Sequence, residues 1–64
     1  MVVYEVVSKW YGDGKCIVSF HTYEMKSKPE NKVIERVNSE TYHDYFTNKK
    51  IAKEFYSMAK KIGK

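Results

Sequence analysis

Sixty-four residues, 42% hydrophobic and 31% charged with a net charge of +4, describe a single small domain spanning residues 1–64. That is near the lower size limit for a chain that folds alone, and it leaves little apolar surface for a deep enzymatic cleft. The single Cys16 excludes an internal disulfide, and no cluster of Cys and His supplies a structural metal, so self-association is the staple that remains.

Residues 1–7 are apolar but short, carry Glu5 early and lack a basic leader and a small-residue cleavage site, so they read as a strand and not a signal peptide. No apolar run approaches the roughly 18 residues that cross a bilayer. The expectation is a cytoplasmic protein with a reduced thiol and no membrane partner. Residues 2–11 are dense in β-branched and aromatic types and predict a first strand, with Val2, Tyr4, Val6, Ser8 and Trp10 on one face. Gly12, Asp13 and Gly14 supply a turn, and residues 16–25 a second strand. A three-residue loop sets Trp10 opposite Cys16, Ser8 opposite Val18 and Val6 opposite Phe20, one mostly apolar face. A two-residue turn would mix Val6 with His21, so the first register is preferred.

Residues 26–31 (KSKPEN) hold the only proline and form a loop. Residues 32–38 predict a third, more polar strand at a sheet edge, where Glu35 and Arg36 discourage further pairing; an extension through residues 39–42 is open. Residues 42–46 (YHDYF) are too aromatic for a free loop, and Phe46 is expected to pack where the helix starts. Thr47 or Asn48 caps a helix running to about Ile62, with Gly63 as its stop signal. At about 100° per residue, Ile51, Ala52, Phe55, Met58, Ala59 and Ile62 share one arc, and Lys49, Lys50, Lys53, Lys60, Lys61 and Lys64 the opposite one. The predicted fold is therefore α+β, a three-stranded antiparallel β-meander followed by one C-terminal amphipathic helix.

One helix covers one face of such a sheet. The other face carries Val3, Val7, Ile17, His21, Tyr23 and Met25 and reads as a protein-contact surface. Charge is uneven as well: residues 48–64 hold six lysines against Glu54, while residues 1–47 hold six basic against seven acidic side chains. A cationic helix face beside a tyrosine-bearing sheet suits a phosphate backbone, with Lys9, Tyr11, Lys15, Lys49, Lys50, Lys53, Lys60 and Lys61 as candidate nucleic-acid contacts. With one arginine and no glutamine, strong base-specific readout is not expected. Cys16, His21, His43 and Asp44 are the only groups suited to nucleophilic or acid/base work. The register puts Cys16 and His21 on opposite faces, and the adjacent His43 and Asp44 diverge. Neither catalysis, nor a metal, cofactor or small-molecule substrate is expected.

Strands followed by residues 44–55 (DYFTNKKIAKEF) resemble the arm-type DNA-binding domain of tyrosine integrases, in which a three-stranded sheet leads into an aromatic, a Thr cap and a helix with Ala and an aromatic inside. Here those are Phe46, Thr47, Ala52 and Phe55. The resemblance implies a sheet face that enters the DNA major groove, carried by Lys9, Tyr11, Lys15, Ser19 and His21; the KSKPEN loop and the absence of Arg-rich strands depart from that family. Size and lysine content also resemble the short stand-alone proteins of phages and prophages, many of which bind a host protein. Two expectations follow: a non-enzymatic DNA-binding module, or a protein-binding module, either a homodimer or an inhibitor of an acidic host protein, that uses the second sheet face.

Overall fold

The computed structural model describes residues 1–62 as four strands and a helix: β1 (Val2–Tyr11), β2 (Cys16–Glu24), β3 (Lys32–Arg36), β4 (Ser39–Phe46) and α1 (Lys49–Ile62). β1 and β2 pair antiparallel in the expected register, with Val6 opposite Phe20, Ser8 opposite Val18 and Trp10 opposite Cys16. The loop enforces it. The Tyr11 N–H donates to the Lys15 carbonyl at 2.9 Å and the Gly14 N–H to the Tyr11 carbonyl at 3.0 Å, while Gly14 takes φ +91°. A three-residue hairpin loop needs that left-handed residue, and glycine adopts it without steric cost.

The sheet has four strands where the sequence predicts a three-stranded meander. The chain turns back at Val37 and Asn38, and residues 39–46 return as β4. β4 inserts beside β1, giving the order β2-β1-β4-β3. The physical reason lies in burial. β1 buries Val3 on one face and Val6 on the other, so it needs a neighbour on each side. Aromatic β4 supplies the second neighbour, and charged β3 takes the outer edge, each of its residues exposed. The Gly12 N–H donates to the Asn38 carbonyl at 3.0 Å, tying the two turns together. Residues 25–31 cross from β2 to β3, and the Asn31 side-chain oxygen accepts the Tyr45 N–H at 2.8 Å, continuing the β4 edge beyond Lys32.

Of the two expected caps, Asn48 is the one used. Its side-chain oxygen accepts the Ile51 N–H at 3.2 Å. Lys60 and Lys61 occupy the last turn, where positive charge complements the helix dipole. Gly63, the expected stop signal, and Lys64 lie outside the described residues. The helix crosses β1 and β2, reaches β4 and does not touch β3. Ala52 and Ala59 face the sheet, Tyr56 meets Phe20 edge-on at 5.7 Å, and Phe55 lies 5.3 Å from Phe46. Only part of the expected apolar stripe is used, since Ile51, Met58 and Ile62 remain exposed and Phe55 is covered on its Phe46 side alone.

Because Ala52 is fully buried beneath the helix, a larger side chain there must push the helix off the sheet. Ala52→Leu is expected to cost about 1–3 kcal/mol and lower the urea midpoint, whereas Ser57→Leu on the exposed side leaves it within about 0.5 kcal/mol.

Candidate nucleic-acid interface

The face of the sheet away from the helix collects the odd-numbered positions of β1, β2 and β4. Pairing then assigns β3: Lys32 stands opposite His43 and Arg36 opposite Ser39, so both lie on this open face, while Glu35 stands opposite Glu40 on the helix side. Charge is thereby sorted by face. Every Lys or Arg on a strand, namely Lys9, Lys32 and Arg36, is on the open face. Every strand acid except Glu5 is on the helix side: Glu24, Glu35, Glu40 and Asp44. Lys15 adds a fourth cation at the end of the open face, loosely paired with Asp13 at 3.9 Å. The Lys9 ammonium lies 5.2 Å from the Tyr11 ring centre, a cation–π contact that holds it over the sheet. Ser19, Ser39 and Thr41 add hydroxyl donors between the cations.

Glu5, the one acid on this face, is withdrawn from it. It is 6% exposed, accepts the Tyr23 hydroxyl at 3.1 Å and lies 3.1 Å from the His43 ring nitrogen Nδ1. Burial alone would raise its pKa, but hydrogen bonds from Tyr45, His43 and Tyr23, with the charge of His43, outweigh burial and hold the carboxyl below its ordinary value. The same carboxylate raises its partners. Tyr45, directly opposite Glu5 in the pairing, is pushed up to about 12, first by hydrogen bonding to Glu5 and then by burial and the carboxylate's charge. A tyrosine raised on folding contributes stability that is complete below its ordinary value of 10 and is lost as pH rises through about 12. An ultraviolet titration of the folded protein is expected to show one late phenolate step near pH 12, absent from the Tyr45→Phe variant.

The groups suited to catalysis stay apart. Cys16 is on the helix side, its thiol pushed up by burial and so not activated, while His21 is on the open face, bonded to the Ser19 hydroxyl at 3.0 Å. His43 and Asp44 point to opposite faces, and burial raises the Asp44 carboxyl. Among the described residues, no three His, Cys, Asp or Glu side chains converge as metal ligands would, and no helix is long and apolar enough to cross a membrane.

The chain matches no protein-family model, no curated protein and no solved structure.

Of the residues singled out for nucleic acid, Lys9, Tyr11 and Lys15 share the open face. Lys49, Lys50, Lys53, Lys60 and Lys61 lie exposed on α1, across the sheet from them, so the candidate contacts form two separate basic surfaces. Lys32 and Arg36 join the open face only through the β3–β4 register, which the sequence does not disclose. The expected protein-contact patch is partly closed. Val3 is fully buried, and Val7 and Met25 are half-buried. Tyr23 is 40% exposed but gives its hydroxyl to Glu5, leaving Ile17 and His21 as its freely exposed members.

Proposed function

We propose that this protein is a non-enzymatic nucleic-acid-binding module that grips the phosphates of DNA with the open face of its sheet. The observation that carries the reading is the sorting of charge, in which Lys9, Lys15, Lys32 and Arg36 share a face whose only strand acid is buried and internally bonded. Cations that contact the phosphates displace condensed counterions from the backbone, and hydroxyl and amide donors fix the register. Tyr11 and His21 offer ring faces on which unpaired bases stack, so single strands suit this surface better than base-specific duplex readout.

The test is an anisotropy titration with unrelated single-stranded and duplex oligonucleotides at about 50 and 200 mM salt. Binding at the lower salt that weakens steeply at the higher is expected, with single strands preferred. Lack of binding to either at low salt ends this reading. Lys53→Glu with Lys60→Glu tests the helix separately: if that pair abolishes binding while the sheet variants keep it, the cationic helix is the contact surface.

A further inference from the structure

Four strands about 4.8 Å apart make a sheet roughly 19 Å wide, and packed helices sit about 8–10 Å apart, so covering one face takes two helices. This chain supplies one. Beside α1, over β1 and β4, lies an open groove of about 480 Å³ with Trp10 and Tyr42 in its floor and Phe55, Met58 and Ile62 along its wall. Met58 and Ile62 are 61% and 68% exposed, an unusual state for large apolar side chains beside an uncovered sheet.

The spacing of the exposed residues identifies what would lie against them. Ile51, Phe55, Met58 and Ile62 are separated by four, three and four positions, the a/d pattern of a helix-to-helix seam. Ala52 and Ala59, one position further round, face the chain's own sheet. The helix thus has two contact lines, one used by its own sheet and one used only at Phe55, which leans on Phe46. At about 100° per residue, Glu54, then Lys61 and Lys50 border this line on the side away from that sheet, two cations against one acid. The uncovered half of the sheet carries the opposite charge, through Glu35, Glu40 and Asp44. Among the described residues none of these three acids takes part in an ion pair.

We propose that a second copy of this chain fills the groove, its α1 lying alongside the first over the β4–β3 half of the sheet. Two-fold symmetry running along the helices places seam against seam and gives a sheet, two-helix, sheet layering. Each helix then has its own sheet on one side and the partner's uncovered strands on the other. Lys61 of one copy, one residue before Ile62 and so at the level of Glu40, comes over Glu40 and Glu35 of the other, twice by symmetry. Both the apolar line and the acidic strip are satisfied by surfaces this same chain exposes. Both open sheet faces remain outward, so the dimer does not depend on the nucleic-acid reading.

Sedimentation velocity across micromolar to millimolar protein, with no nucleic acid present, tests it. A concentration-dependent shift from 7.6 kDa toward twice that mass is expected, with a change in Trp10 emission over the same range. Met58→Glu, at an exposed position, is expected to leave the circular dichroism of the monomer unchanged and to weaken the dimer at least about a hundredfold. Lys61→Glu is expected to weaken it about tenfold, and Glu40→Lys in the same chain to restore it. A monomer at every concentration overturns the proposal and leaves the groove to a foreign basic amphipathic segment. A dimer indifferent to Met58→Glu, or a Lys61→Glu loss that Glu40→Lys does not repair, overturns it too.

Discussion

Replacing Glu5 by alanine is expected to destabilise the fold by about 2 kcal/mol, because it leaves the part-buried Tyr23 hydroxyl and His43 imidazole without their shared acceptor. Against the roughly 5 kcal/mol that small domains possess, this is a large share of the total stability. Glu5→Gln keeps the volume and one acceptor oxygen and is expected to lose about half as much. The same carboxylate sets acid stability. Its folded pKa lies below the ordinary 4.5, so its contribution is complete above pH 4.5 and is lost as pH falls through the folded value. Asp44 runs the other way, since burial raises it and protonation relieves the folded state. Thermal unfolding followed by circular dichroism between pH 7 and pH 2 is expected to show a midpoint that falls below about pH 4.5 in the native chain and much less in Glu5→Ala. Equal acid sensitivity in both would show that other carboxylates govern the transition.

Reversing Lys9 and Arg36 together to glutamate is expected to weaken DNA binding about a hundredfold or more at low salt. Four phosphate contacts predict a slope of log K against log salt of about −2.8 on single strands, from about −0.7 per neutralised phosphate, and the double variant is expected to retain about half of it. Neither residue is buried, so the urea midpoint is expected to stay within about 0.5 kcal/mol of the parent, which separates lost binding from lost folding. An unchanged affinity would remove the sheet face from consideration.

The β1–β2 hairpin was legible in full because its signals are local: alternating apolar positions, a Gly-Asp-Gly turn and a face that only one register keeps apolar. The helix was legible for the same reason, with its cap narrowed to Thr47 or Asn48. The second hairpin was not. Val37 and Asn38 form a turn with neither residue at positive φ and no glycine, and Val37, 98% exposed, reads in the sequence as one more strand residue. Missing that turn hid the face on which Lys32 and Arg36 stand. It also shifted the apparent surplus of apolar surface. From the sequence the surplus fell on the open face, but Val3 there is fully buried, and exposed apolar side chains are divided between the sheet, through Ile17, Val33 and Ile34, and the helix, through Ile51, Met58 and Ile62, while Ala52 and Ala59 are the stripe members buried against the sheet. Small residues permit the close approach of helix to sheet, and periodicity alone does not tell which edge of an apolar stripe will be used.

The pairing of β1 with β4 also governs how the chain comes together. Tyr4 meets Phe46 and Tyr11 meets Ser39, whereas each hairpin joins neighbours along the sequence. A lone hairpin forms in about 1–10 μs but is marginal in water. The two become durable when they dock along the central seam, a slower encounter between distant segments. During synthesis β1 therefore waits with one backbone edge unpaired until residues 39–46 have left the ribosome, and throughout that interval it is open to the β4 strand of any neighbouring nascent chain.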